Sequence, residues 1–214
     1  MTDVRHLYVH LPFCVHRCGY CDFVTSVGRE TEHLPYAEAL VAELEWGRPL
    51  LADPLETIFI GGGTPTFMRP DALRTVLRAL PDALEVTVEA NPETVTPEVV
   101  ASLREHRVNR VSLGAQSFQQ PLLETLERVA RPDDVRRAVH TLRDAEFDNI
   151  SLDLIYGIPG QSGDDLAAWR SSPSTSPPTS SRRSPARDSP TSMGPSSTGR
   201  RRLWRATSTP SSRR

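Results

Sequence analysis

The chain has 214 residues, of which 37% are hydrophobic and 24% are charged, with a formal net charge of −2. This length allows one ordinary domain or two small ones. No run of about 18 apolar residues is present and the N-terminus has no apolar signal segment, which excludes an ordinary transmembrane helix or secretory signal and makes cytoplasmic the default location.

The first predicted strand, Leu7–Leu11, runs into a loop that holds all three cysteines. Cys14, Cys18 and Cys21 have the spacing C-x3-C-x2-C, so three thiolates can face one point. A [4Fe–4S] cluster is usually held by four Cys, one per iron. Three ligands leave one iron open to chelate the amino and carboxylate groups of S-adenosylmethionine (SAM). This spacing resembles the cluster motif of the radical SAM superfamily, whose cluster also suits a reducing compartment.

Three other interpretations of the cysteines compete with the cluster. A disulfide is disfavoured because the count is odd and no secretory signal precedes it. A structural Cys3His zinc site with His10 or His16 is an alternative, although the spacing is not the paired C-x2-C of zinc ribbons. Unliganded buried cysteines are disfavoured by their clustering.

The rest of the chain alternates strand and helix patterns as far as residue 169. Further strands are predicted at Thr57–Ile60, Leu84–Ala90, Arg110–Gly114 and Asn149–Ile155. Helices are predicted over Pro35–Trp46, Pro70–Leu80, a segment with Thr96 as N-cap and Pro97 as first helical residue, Pro121–Val129, Asp133–Ala145 and Asp164–Trp169. This alternation predicts an α/β fold with a parallel sheet, as a barrel or part of one.

Polar motifs follow the predicted strands, at the edge where barrel enzymes place their sites. The run 61–66, Gly-Gly-Gly-Thr-Pro-Thr, is either a tight turn or a place where a ligand approaches bare backbone. Glu89 is either a surface acid or a partner for an ammonium or ribose group. Gln116 follows the fourth predicted strand and Asp153 lies late in the fifth. Either residue could instead only stabilise a turn. We expect these groups to assemble into one site.

Arg128 lies within a predicted helix, four residues after Glu124. This spacing favours an ordinary solvated ion pair. The alternative is a planar guanidinium that clamps a carboxylate of the ligand.

Five motifs occur in the order Tyr8-Val-His-Leu-Pro-Phe-Cys, Gly-Gly-Gly-Thr-Pro-Thr, Glu-Ala-Asn-Pro, Arg-Val-Ser-Leu-Gly-Ala-Gln-Ser-Phe and Asp-Leu-Ile-Tyr-Gly-Ile-Pro-Gly-Gln. Together they resemble the family of oxygen-independent coproporphyrinogen III oxidases and its close relative, the haem chaperone HemW. The resemblance covers residues 5 to 170 and implies an incomplete radical SAM (β/α) barrel. It implies that Cys14, Cys18 and Cys21 bind the [4Fe–4S] cluster. It also implies that SAM is contacted by Tyr8, Tyr20, Gly62, Gly63, Thr64, Glu89, Gln116, Arg128 and Asp153.

The same resemblance separates two functions. The oxidase pattern has a fourth Cys two residues after the third, whereas this chain has Phe23, as in the chaperone. We therefore predict a chaperone-like protein that binds SAM and haem and passes haem to acceptor proteins. In that family part of the haem site is expected in a further C-terminal domain, which we expect to be missing here. The alternatives are the oxidase, acting on a porphyrinogen, and a non-functional fragment, so enzymatic activity stays open.

The composition changes abruptly after Arg170. Residues 171–214 contain fourteen Ser, nine Arg, seven Pro and six Thr, with one acidic residue. Such a segment is predicted to be a disordered basic tail beside a partial barrel over 1–170. Because it begins within a predicted helix, we interpret it as out-of-frame translation rather than as a nucleic-acid-binding arm.

Overall fold

The computed structural model describes residues 4–168, and the side chains of residues 4–167. Its strands are β1 (His6–Leu11), β2 (Phe13–Cys14), β3 (Ser26–Val27), β4 (Leu55–Gly62), β5 (Ala83–Ala90), β6 (Arg110–Gln116) and β7 (Asn149–Leu154). Strands β1, β4, β5, β6 and β7 form one sheet in that spatial order, and every neighbouring pair is parallel. The predicted parallel α/β architecture is confirmed.

Helices occupy the connections between these strands. They are α1 (His33–Gly47), α2 (Pro70–Ala79), α3 (Pro97–Glu105), α4 (Gln120–Thr125), α5 (Pro132–Asp144) and α6 (Gly163–Ala168). Proline occupies one of the first two positions of α2 to α5, where its missing N–H costs no helical hydrogen bond. The Thr96 side chain accepts a hydrogen bond from the Val99 N–H, which confirms the predicted cap of α3.

The main core lies between the sheet and its helices. Ile58 and Ile60 of β4 are fully buried, and so is Val88 of β5. Helix α2 turns Leu73 and Val76 onto this layer, as its periodicity predicts. Burying one such side chain stabilises the fold by about 1.5–3 kcal/mol. The core therefore holds the carboxyl ends of the central strands at one fixed edge.

Burial of the strand residues decreases from β6 to β7. No side chain of β7 is fully buried, whereas five consecutive residues of β6 are. Within residues 4–168, β7 has only β6 as a neighbour, so it forms an edge of the sheet. This matches the predicted incomplete barrel.

Among the described residues, no helix combines the length and apolarity that crossing a bilayer requires. The predicted boundary at residue 170 and the predicted tail, 171–214, lie outside the described residues.

Candidate functional site

A cavity of about 380 Å³ opens at the carboxyl ends of the strands, next to the cysteine loop. All but one of the predicted site residues line it: Cys14, Cys18, Cys21, Tyr20, Gly62, Gly63, Thr64, Glu89, Gln116, Arg128 and Asp153. Parallel strands bring their carboxyl ends to one edge, which is why residues up to 139 positions apart share a wall. The predicted assembly at one edge is therefore observed.

Tyr8 is the predicted site residue that does not line this cavity. Its ring packs against Phe59, with 6.2 Å between the ring centroids, and its hydroxyl lies 3.0 Å from Nδ1 of His10. Nε2 of His10 in turn lies 3.0 Å from the carbonyl oxygen of Val24, at the end of the cysteine loop. Tyr8 is thus linked to the end of the cysteine loop through His10, and its role toward SAM stays a prediction.

The cysteine loop is closed at its base by a pair of very short strands. Phe13 and Cys14 of β2 pair with Ser26 and Val27 of β3, so the loop leaves and returns at one point. Within it, the Cys21 N–H donates to the Cys18 carbonyl over 3.0 Å. These turns place the three thiols on the cavity wall, with Cys14 buried and the other two partly exposed.

The state of the three thiols bears on the competing interpretations of the cysteines. All three are free thiols, so the loop contains no disulfide. Within the described part of the chain, no group of three His, Cys, Asp or Glu side chains is close enough to hold a single metal ion. The structure does not test the zinc alternative, which stays open. A cluster, whose thiolates each bind a different iron, does not require them to converge on one atom.

The triple glycine lies against the start of the cysteine loop. A Cβ on Gly63 would stand 2.6 Å from the carbonyl oxygen of Phe13, and one on Gly62 would stand 2.6 Å from the His10 ring. Gly62 also has φ +117°, which side chains disfavour. These close approaches are made by the protein itself and the positive φ of Gly62 fits a tight turn, so the approach of a ligand to these glycines stays a prediction.

Glu89, at the end of β5, is half-buried beside the same glycines. Its Oε2 accepts a hydrogen bond from the Gly62 N–H over 3.2 Å. Burial is the main cause that raises the pKa of Glu89; the Gly62 N–H opposes this and the charge of Asp153 adds to it. Glu89 is thus an inward-facing acid rather than a surface one.

Gln116 reaches the cavity because the strand is irregular at this point. The pairing of β6 with β7 slips between Gly114 and Gln116, and Gln116 has φ +60°. A bulge of this kind turns a side chain out of its regular alternation. A Cβ at Gly114 would stand 2.8 Å from Nε2 of Gln116, so the Gln116 side chain would have to move.

Arg128 does not lie in a helix, so the predicted helix 121–129 is wrong at its end. Helix α4 ends at Thr125, because Glu127 takes a left-handed conformation with φ +55° and terminates it. The turn directs Arg128 toward the cavity, where Nη1 lies 3.6 Å from Sγ of Cys18 and Nη2 donates to the Gly114 carbonyl over 3.0 Å. The solvated pair with Glu124 is not observed.

Burial acts against the charge of Arg128, but Tyr20, Glu93 and Cys18 outweigh it and raise the pKa of the guanidinium. Arg128 is therefore a permanent cation in the cavity wall. Its Nε is buried without a hydrogen-bond partner among the described residues. A buried donor without a partner is costly, and because Nε is buried, a ligand could reach it only if the Arg128 side chain moved.

Asp153 is the exposed polar group at the far wall. Both of its carboxylate oxygens accept from the Ser112 hydroxyl, at 2.9 and 3.1 Å. Ser112 was not predicted from the sequence as a site residue, although it stands in a quoted motif. Its position two residues before Gly114 on the same face of β6 is the signal that identifies it.

Asn91 is the second site residue that the sequence reasoning missed. It lines the cavity, donates to Oγ1 of Thr64 over 2.9 Å and accepts from Nη2 of Arg128 over 2.9 Å. The Glu-Ala-Asn-Pro motif contains it, but nothing in the sequence alone indicates these two partners.

Known proteins are similar to this chain in sequence and in fold. The sequence model of the Radical SAM superfamily matches residues 8–170. The heme chaperone HemW of Mycobacterium tuberculosis is 42% identical over 171 residues, which cover 75% of this chain and 44% of that protein. HemW of Bacillus subtilis is 39% identical over 170 residues, covering 74% of this chain and 44% of that protein.

Among solved structures, coproporphyrinogen III oxidase (HemN) from Escherichia coli, a radical SAM enzyme, superimposes with a TM-score of 0.68. It is 28% identical and the match covers 78% of this chain and 40% of that one. This chain thus spans less than half the length of these relatives. The matched region contains the three cysteines and every strand of the sheet except the first two residues of β1, and on this ground the chain belongs to the radical SAM superfamily.

Proposed function

We propose that this chain is the cluster- and SAM-binding part of a haem chaperone resembling HemW. The superfamily implies a [4Fe–4S] cluster and SAM as cofactors. The observation that carries the proposal is the placement of three free thiols on the wall of one cavity with the ends of β4 to β7. Three thiolate ligands would hold such a cluster and leave one iron open to the amino and carboxylate groups of SAM.

The residues around the cavity fit these two cofactors. Cys14, Cys18 and Cys21 would hold the cluster, since thiolates are its protein ligands. Hydroxyl and guanidinium donors already face two of the sulfurs, and Arg128 brings a guanidinium to the cavity wall that would suit a ligand carboxylate. Glu89 offers a half-buried acceptor to an ammonium or ribose group.

The remaining predicted SAM contacts keep their proposed roles, and all of them except Tyr8 lie on the same wall. They are Tyr8, Tyr20, Gly62, Gly63, Thr64, Gln116 and Asp153. Tyr8 is included through its bond to His10, because that pair touches the end of the cysteine loop. Three free thiols on one cavity wall suit a reducing compartment, so we propose that the protein is cytoplasmic.

The test begins with anaerobic reconstitution of the full chain with iron and sulfide. We expect about four iron atoms per chain and an absorption band typical of a [4Fe–4S] cluster. The matched control replaces Cys14, Cys18 and Cys21 by serine. SAM binding to both proteins is then measured by equilibrium dialysis. Equal iron content in the parent and the serine variant would reject the proposed cluster.

A second function, coproporphyrinogen III oxidase, is favoured by the structural similarity to HemN. The discriminating residue is Phe23, which lines the cavity where the oxidase pattern has a cysteine. The reconstituted protein should bind haem stoichiometrically without consuming coproporphyrinogen III. Turnover of that substrate would favour the oxidase. If the protein shows neither haem binding nor turnover, a non-functional fragment is favoured. Transfer of bound haem to a haem-free acceptor protein is the remaining step of the proposal.

We also propose that residues 1–170 form the functional core and that 171–214 are out-of-frame. The end of the superfamily match at residue 170 supports this division. Resequencing the gene across codons 165–214 tests it, because a confirmed reading frame would reject the frameshift.

A further inference from the structure

Asn91 stands between two side chains that each contact a cysteine sulfur. On one side, its Nδ2 donates to Oγ1 of Thr64 over 2.9 Å, and that hydroxyl donates to Sγ of Cys14 over 3.7 Å. On the other side, its Oδ1 accepts from Nη2 of Arg128 over 2.9 Å, and Nη1 of Arg128 lies 3.6 Å from Sγ of Cys18. One amide thus connects the donors of two sulfurs.

The order of donors and acceptors in this series of hydrogen bonds determines where the Thr64 hydroxyl hydrogen points. Arg128 has only donors, so it requires the oxygen of the Asn91 amide and turns the NH2 group toward Thr64. The Thr64 oxygen then accepts from Asn91, which leaves its single hydrogen for Cys14. An aspartate at position 91 would reverse this, because both of its oxygens accept and would take the Thr64 hydrogen.

The backbone around Asn91 is held on both sides. Pro92, which follows it, is buried. The Asn91 carbonyl accepts from both the N–H and the hydroxyl of Thr94, at 3.0 and 2.8 Å. Strand β6 approaches the amide so closely that a Cβ on Gly114 would stand 3.1 Å from Oδ1 of Asn91. The amide is therefore positioned before any ligand binds.

We propose that Asn91 is a positioning residue that aims one donor at each of two cluster-binding sulfurs, and so tunes the stability and the reduction potential of the cluster. This inference rests on the proposed function. Donors aimed at the sulfurs stabilise the more negative, reduced cluster and are among the determinants of its potential. Residues that orient metal ligands commonly change metal affinity by about 10–100-fold when they are replaced.

The experiment compares Asn91→Asp and Asn91→Ala with the parent in the full chain after anaerobic reconstitution. Two quantities are measured: the rate at which a chelator removes iron, and the midpoint potential from a spectroscopically monitored redox titration. We expect iron loss about tenfold faster or more, and a potential shifted to more negative values in both variants. Thr64→Val combined with Asn91→Ala should shift the potential by less than the sum of the single shifts, because Asn91 acts partly through Thr64.

Asn109→Ala is the matched control. Asn109 bridges the start of β5 at the opposite edge of the sheet, accepting from the Val86 N–H and donating to the Leu84 carbonyl, both over 2.8 Å. Its replacement should lower thermal stability while leaving the potential unchanged. Equal changes in potential for the Asn91 and Asn109 variants, or none for either, would overturn the inference. A parent protein that takes up no cluster would instead reject the proposed function.

Discussion

Replacing Gly63 by alanine should force apart the triple glycine and the start of the cysteine loop. The added Cβ would stand 2.6 Å from the carbonyl oxygen of Phe13 and 2.7 Å from the carbonyl group of Pro12. Ordinary contact requires the two segments to separate by roughly 0.7 Å or more. Both neighbours are backbone atoms, so no side-chain rotation relieves the clash.

Two hydrogen bonds resist that separation. The Gly63 N–H donates to the Leu11 carbonyl over 2.8 Å, and the Thr64 N–H donates to the Phe13 carbonyl over 2.7 Å. Overpacking costs about 1–3 kcal/mol, and each weakened hydrogen bond adds up to about 1 kcal/mol. We therefore expect the free energy of unfolding to fall by about 2–4 kcal/mol and the melting temperature by roughly 5–15 °C.

The assay is thermal unfolding of the full chain followed by far-UV circular dichroism, with urea unfolding as the second measurement. Gly47→Ala is the matched control, because a Cβ there meets no atom within 4 Å and φ is −79°. That substitution should raise stability by about 0.4–1 kcal/mol. If Gly63→Ala melts with the control rather than well below the parent, the argument from close backbone approach is wrong.

Three further variants test the site and the fold by urea unfolding. Glu89→Gln should flatten the pH dependence of stability: burial raises the pKa of Glu89, so the folded protein binds its proton more tightly and loses stability as pH rises above the ordinary glutamate pKa. An unchanged slope would contradict this cause. Thr96→Ala removes the bond from the Val99 N–H and should cost about 1 kcal/mol, whereas no loss would show that the cap is dispensable. Phe147→Ala empties a site that is 1% exposed and should cost about 3–5 kcal/mol; a loss below about 1 kcal/mol would mean that the core closes over the gap.

The sheet was predictable because its determinants are local in the sequence. Alternating strand and helix periodicities, with prolines at helix starts, require only neighbouring residues to be read. The end of α4 was not predictable by the same means. The pattern from Pro121 to Val129 is helical, but a left-handed Glu127 ends the helix early, and glutamate carries no signal for that conformation.

The candidate site was predictable as a set of motifs but not as a set of contacts. The sequence places Glu89 and Gln116 at strand ends, which suffices to bring them to one edge. It does not show that Glu89 accepts from Gly62, or that Asn91 joins Thr64 to Arg128. These contacts depend on the register of parallel strands and on the turn after α4, which are set by packing between distant segments.

The contacts of the cysteine loop explain why these motifs belong together. Near its start, the Phe13 carbonyl accepts from Thr64 of the glycine motif. Near its end, the Ser26 N–H donates to the Pro12 carbonyl over 2.8 Å, and at its centre Cys18 faces Arg128. A change in the glycine motif or in the turn after α4 therefore moves the thiols themselves. For this reason a variant in the glycine motif or in the turn after α4 should also alter cluster binding, although it is distant from the cysteines in sequence.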